Sequence, residues 1–172
     1  MVKPILAVDI DNTIADTNGT MLGFMPGLEI EKYPAPGINQ ELFNQNPWIF
    51  TDTLPIKGAA EGVNYLSAYW KIVYLTARPE CAEGLTYAWL KQHWFPESLV
   101  ICTDNKPEWI LKLGISLAID DSPKEIMAIS KLIPVCIYEQ PYNKELSHIG
   151  YRFTWSSNWV KNIMAYNNML IA

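Results

Sequence analysis

Ile5-Leu6-Ala7-Val8-Asp9-Ile10-Asp11-Asn12-Thr13 decides how the rest of the chain is read. Its apolar half is short, β-rich and free of polar alternation, which is how a strand buried on both faces appears in a sequence. The run stops at Asp9, and Asp11 follows two residues later. Side chains two apart share a side of an extended chain, so the two acids face one way if strand geometry persists through them. Taken alone, an acidic pair beyond a strand is also an ordinary capping or turn feature.

Four further runs have the same character: Ile72–Leu75, Leu99–Cys102, Leu117–Ile119 and Val135–Tyr138. Helical patterns separate them, about Gly58–Tyr69, Cys81–Trp94, Pro107–Leu113 and Ser122–Lys131, with a last one about Ser157–Met169. In the longest, Leu85, Ala88, Trp89 and Gln92 recur at the spacing of one helix face. Pro107 and Pro123 suit first-turn positions, and Ser156 or Ser157 could cap the final helix. Strands alternating with helices predict an α/β fold, a Rossmann-like three-layer open parallel sheet with right-handed crossovers.

The stretch from Ala15 to Leu54 breaks that alternation. Gly19, Gly23, Pro26, Gly27, Pro34, Pro36, Gly37 and Pro47 interrupt any long helix, yet Phe24, Tyr33, Phe43, Trp48 and Phe50 ask for burial. A loop of that length belongs to a compact domain only if it packs, so residues 15–54 are expected to form a small cap over the end of the first strand.

With 172 residues, 49% of them hydrophobic, the chain suits a single domain, 1–172, with the cap inside it. Lys and Arg total 13 against 18 Asp and Glu, and Arg78 and Arg152 are the two arginines, which weighs against a partner as extended as nucleic acid. The apolar run before Asp9 is too short for a signal peptide or a membrane span, so a cytoplasmic protein is expected. Cys81, Cys102 and Cys136 lack the paired spacings of a zinc or disulfide framework and read as reduced core residues. His93 and His148 adjoin no motif and are expected to take no part in chemistry.

Three strand ends carry reactive residues: Asp9 and Asp11, Thr76-Ala77-Arg78, and Asp120-Asp121. Open α/β sheets bind ligands at the carboxyl ends of their strands, so these groups should converge. Two carboxylates about 4 Å apart repel by about 4 kcal/mol at an effective dielectric of about 20, so four acids in one crevice need cations. Oxygen donors without a nearby His or Cys favour Mg2+. Lys106, just past the third strand, is the expected lysine. Thr76 offers a hydroxyl and the peptide groups after it an anion nest, as a phosphate requires. Arg78 reads equally as a surface ion pair or a substrate contact.

These residues resemble the haloacid dehalogenase phosphatase superfamily. Asp9-Ile10-Asp11-Asn12-Thr13 looks like its first motif, Thr76 its second, Lys106 its third and Asp120-Asp121 its fourth. The resemblance implies the sheet order 3-2-1-4-5. Within the superfamily the chain is most similar to the 5'(3')-deoxyribonucleotidases, through Asn46-Pro47-Trp48-Ile49-Phe50, Leu54-Pro55, Tyr87-Ala88-Trp89-Leu90, Ile119-Asp120-Asp121-Ser122-Pro123 and Trp155-Ser156-Ser157-Asn158-Trp159. Thr76-Ala77-Arg78 stands where the animal enzymes tend to have Thr-Ser-Pro, and it also resembles polynucleotide 3'-phosphatases.

The resemblance implies a phosphomonoesterase that acts on nucleoside monophosphates. Asp9 would be the nucleophile that forms an aspartyl-phosphate, and Asp11 the acid and base. Mg2+ would be held by Asp9, Asp120, Asp121 and the backbone carbonyl of Asp11, whose side chain stays free to carry the proton. Thr76, Lys106 and the amide groups of Ile10 and Ala77 would hold the phosphate. Phe43, Trp48, Phe50 and Arg78 are the expected substrate pocket, with Trp48 and Phe50 the preferred stacking pair. The expected partners are a small nucleotide and a second copy of the chain in a homodimer, with no extended nucleic acid and no membrane. A polynucleotide 3'-phosphatase or a phosphatase of small metabolites is the alternative. A receiver-type phosphoacceptor is more distant, because its acid pair precedes a phosphorylated Asp on a later strand.

Overall fold

A computed structural model describes residues 2–156 together with 162 and 163. Among the described residues, six parallel strands form one sheet, β1 (Ile5–Val8), β2 (Lys71–Thr76), β3 (Leu99–Cys102), β4 (Leu117–Asp120), β5 (Val135–Tyr138) and β6 (Tyr151–Phe153), in the order β3-β2-β1-β4-β5-β6. The first five stand in the expected order. β6 is an addition to that expectation, pairing Cys136 with Tyr151 at the sheet edge. Its three residues, with Arg152 between two aromatics, are too short a run to stand out, as edge strands often are.

The continuous apolar runs arise because both faces of the sheet are covered. Leu6, Val8, Ile72 and Tyr74 point to one side, where Val63 and Leu66 of α4 (Ala59–Ser67) and Trp89 and Leu90 of α5 (Glu83–Gln92) pack on them. Ala7, Val73 and Leu75 point to the other, against Ile110 of α6 (Lys106–Leu113) and Ile126 and Ile129 of α7 (Pro123–Ile129). Pro107 and Pro123 occupy first-turn positions, and the Ser122 hydroxyl accepts from the Glu125 N–H to cap α7. The pattern over 81–94 resolves into a 3₁₀ turn, Glu80–Ala82, and then α5. The helix expected over Ser157–Met169 lies outside the described residues apart from Asn162 and Ile163, and of its two expected caps only Ser156 is described.

Residues 15–54 carry α1 (Thr17–Phe24), α2 (Gln40–Gln45) and α3 (Ile49–Asp52). The two ends of this insert lie side by side on the core, with Asp16 N–H donating to Leu54 O and Ile56 N–H to Ile14 O, each at 2.8 Å. Trp89, 1% exposed, locks the far end by donating from Nε1 to Thr53 O at 2.7 Å. The cysteines are free, but Cys81 is exposed, contrary to the expectation of three core residues, because the turn before α5 carries it to the surface. Among the described residues, no helix is long and apolar enough to cross a membrane.

Candidate active site

The parallel sheet brings its strand ends to one edge, and the acids that terminate β1 and β4 meet there. Asp9, Asp120 and Asp121 are all buried, and one oxygen from each lies within 4.8 Å of the others. Lys106, the first residue of α6, joins them: Nζ donates to Asp9 Oδ1 and to Asp120 Oδ2, both at 2.7 Å. Ser122 N–H donates to Asp120 Oδ1 at 2.9 Å. The Thr13 hydroxyl lies 2.7 Å from Asp121 Oδ1 and 3.2 Å from Asp9 Oδ2, with one proton to share between them. The Tyr142 phenol donates to Asp121 Oδ2.

Three buried carboxylates face one ammonium, and the balance shows in their acidities. Burial pushes Asp9 up to about 7; Lys106 opposes that, while Asp120 and Asp11 add to it. Asp121 is driven well above the carboxylate range by burial and by Asp9 and Asp120. Burial alone would lower Lys106, but Asp120 and Asp9 outweigh it and hold the ammonium charged. A cluster of oxygen donors in surplus over its cations fits a hard divalent ion.

Asp11 faces a different partner. Arg78 Nε donates to Asp11 Oδ2 at 2.9 Å and Nη2 to Oδ1 at 2.8 Å, while the Thr17 hydroxyl donates to Oδ1 at 2.6 Å. Burial would raise this carboxyl, but Arg78 and the hydrogen bonds from Arg78 and Thr17 hold it below the usual range. The Asp11 side chain, expected to be free to carry a proton, is engaged by Arg78 through both of its oxygens. Nor is Arg78 a surface ion pair: it is 3% exposed, and its guanidinium lies 4.4 Å from the Phe50 ring centroid.

Thr76 ends β2 beside this pair, its hydroxyl 3.5 Å from Asp11 Oδ2 and accepting from Arg78 N–H at 3.2 Å. Ala77 lies on the cavity wall with it. Ile10 is fully buried in the core, so whatever it gives the site comes from its backbone.

A cavity of about 270 Å³ opens above these groups. Asp9, Asp11, Thr76, Arg78, Lys106 and Asp121 form part of its wall, and Met21, Tyr33, Phe43 and Phe50 of the insert another part. Phe43 and Phe50 stack at 5.3 Å with planes 27° apart. Trp48 does not line the cavity, which corrects its assignment to the pocket; it packs edge-on against Phe24, with centroids 4.2 Å apart.

Four contributors escaped the reading of the sequence. Thr13 belongs to the first motif, where its hydroxyl was a visible signal. Thr17, Tyr33 and Tyr142 carried none, since each reaches the site only through the folded chain. Tyr33 accepts from the Ser122 hydroxyl at 2.6 Å, and burial pushes its phenol up to about 12. His93 packs on Trp89 and His148 is exposed, both away from the cavity.

The profile of a family described as 5' nucleotidase, deoxy (pyrimidine), cytosolic type C matches residues 3–166. "Putative nucleotidase YqfW" of Bacillus subtilis (strain 168) is 27% identical over 140 residues, covering 76% of this chain and 72% of that protein. A haloacid dehalogenase family hydrolase from Deinococcus radiodurans, solved with bound phosphate and sodium, superposes with a TM-score of 0.66 at 16% identity, over 97% of each chain. A haloacid dehalogenase-like hydrolase from Streptococcus pneumoniae gives 0.62 at 12%, over 95% of this chain and 98% of its own. These two share the fold. The match over residues 3–166, on a haloacid dehalogenase fold with its acids gathered at one sheet edge, makes this chain a member of the cytosolic type C 5'-nucleotidase family and an enzyme of the phosphatase class.

Proposed function

We propose that the chain hydrolyses the phosphomonoester of nucleoside monophosphates through a phosphoryl group carried on Asp9. The observation that carries this reading is the bridge from Lys106 to Asp9 and Asp120 at the floor of the cavity. It keeps a cation against the acid that must attack an anion. Asp9, Asp120 and Asp121 would hold a divalent ion, magnesium by the preference of all-oxygen sites, with the Asp11 carbonyl as a further ligand. When bound, that ion supplies positive charge against the phosphate oxygens.

Asp9 Oδ attacks phosphorus in line as the bond to the ester oxygen breaks; Asp11, which Arg78 otherwise holds ionised, takes up a proton as the phosphate dianion binds beside it and passes that proton to the departing alkoxide. Asp11, now a carboxylate, takes a proton from water as the water oxygen attacks the phosphoryl group. Phosphate leaves and Asp9 is restored. Lys106, the Thr76 hydroxyl and the Ile10 and Ala77 amide groups hold the non-bridging oxygens, so the work is mainly positioning and charge neutralisation.

The cavity, about 270 Å³, lies near the lower end of small-molecule sites, which run to about 300–1,000 Å³, and this favours a mononucleotide over a nucleic-acid end. Phe43 on its wall, backed by Phe50, which is 1% exposed, favours a base over a small metabolite. Arg78 is taken up by Asp11, and Arg152 donates to Asn143, so neither arginine favours a polynucleotide track. A phosphate-release panel tests the reading, using nucleoside monophosphates, 3'-phosphorylated oligonucleotides and sugar phosphates, with and without Mg2+. Metal-dependent release from the mononucleotides is expected. Release from oligonucleotides alone, or from none, would overturn it.

A further inference from the structure

Arg78 has no direct task in the phosphoryl transfer, yet all three of its guanidinium nitrogens donate to other side chains. Its Nη1 donates to the Thr86 hydroxyl at 3.1 Å, and that hydroxyl donates to Ala82 O at 2.9 Å, so the orientation of Thr86 is itself fixed. The guanidinium lies 4.4 Å from the Phe50 centroid and 5.9 Å from that of Trp89. Two rings and a hydroxyl therefore set the plane of a rigid fork, whose remaining donors reach both oxygens of Asp11.

The consequence for Asp11 is atom-specific. A carboxylate oxygen has two lone-pair directions. On Oδ1 both are taken at short distance, by Thr17 at 2.6 Å and Arg78 Nη2 at 2.8 Å. On Oδ2, among the described residues, Arg78 Nε is close, at 2.9 Å, and the other neighbour, the Thr76 hydroxyl, is at 3.5 Å. The second neighbour of Oδ2 is thus a distant hydroxyl that is itself assigned to the phosphate, which leaves Oδ2 the less committed of the two oxygens.

We propose that Arg78 is a positioning residue for the leaving-group step, aiming Asp11 Oδ2 at the ester oxygen as the P–O bond breaks. The proposal rests on the reading of Asp11 as proton donor. The bonds broken and formed are those of the transfer from the ester oxygen to Asp9, and Arg78 exchanges no proton. Because Phe50 belongs to the insert, the aim of Asp11 depends on the insert being seated.

Leaving groups separate this role from a structural one, since a nucleoside alkoxide needs a proton and a nitrophenolate does not. The experiment measures kcat and KM of Arg78→Gln, Arg78→Lys and Asp11→Asn with a nucleoside monophosphate and with p-nitrophenyl phosphate, and thermal unfolding of each. Arg78→Gln is expected to lower kcat on the nucleotide by about 100-fold, in the range of general acid catalysis, and to lose at least about tenfold less on the aryl ester. Arg78→Lys keeps the charge without the fork, so it is expected to show the same imbalance, and it carries the test should the Gln variant fail to fold. Equal losses on both substrates in the Arg78 variants, with an imbalance in Asp11→Asn, would overturn the proposal alone. Equal losses in Asp11→Asn as well would overturn it together with the proton-donor reading.

Discussion

Tyr142 donates its phenol hydrogen to Asp121, and in doing so ties the 3₁₀ segment Pro141–Leu146 to the acidic cluster at the end of β4. Asp121 takes its other bond from Thr13, so both of its oxygens are held by hydroxyls. Groups that orient a metal ligand from behind typically change metal affinity by about 10–100-fold when removed. Tyr142→Phe is therefore expected to weaken divalent binding by about tenfold or more. Manganese titration followed by electron paramagnetic resonance reads this directly. Unchanged affinity would show that Asp121 is aligned without the phenol.

Metal-free stability should depend on pH with a definite sign. Asp9 is raised from 3.8 to about 7 and Asp121 is raised well above its ordinary value too, each first by burial. A group whose acidity is raised by folding stabilises fully below its unfolded value, and loses that contribution as pH rises through its folded value. Lys106, also raised, keeps its contribution throughout this window, and Asp11, lowered, gives up its own only in more acid solution. In chelator, Tm is expected to fall between about pH 5 and about pH 8, and magnesium to restore more at the higher pH, where the acids are ionised. A Tm that rises over this range without metal would contradict the account.

The insert aromatics should divide by whether they line the cavity. Phe43 does and Trp48 does not. Phe43→Ala is expected to weaken nucleotide binding by about 1–3 kcal/mol, the cost of a lost base stack, seen as a raised KM. Trp48→Ala is expected to have the smaller effect on KM. The reverse order would move the base site to the Trp48 side of the insert.

Trp89 joins α5 to the sheet and to the end of the insert. Trp89→Ala is expected to cost about 3–5 kcal/mol in urea unfolding, as large aromatic truncations in cores do. A loss under about 1 kcal/mol would mean that the site collapses around the gap.

What was legible in the sequence follows from how this sheet is buried. Because helices cover both faces, β1 to β5 read as unbroken apolar runs, and the polar residues that end them marked the site before any geometry was known. The order of Asp9, Thr76, Lys106 and Asp120 along the chain carried the chemistry. The partners of those residues were not legible, because they depend on convergence. Arg78 meets Asp11 across 67 residues and Tyr142 meets Asp121 across 21, with no local pattern to announce either. Trp48 was misassigned because the direction of a side chain on so short a helical stretch is set by what it packs on, here Phe24.

The central claim is that Asp9 carries the phosphoryl group. Rapid acid quench of the enzyme turning over a nucleoside monophosphate, followed by peptide mass spectrometry, tests it most directly. The expected result is a phosphorylated peptide whose modified residue is Asp9, and its absence in Asp9→Asn, which should keep its fold and lose turnover. Turnover with no phosphoryl group on Asp9, or with one on another residue, would contradict it.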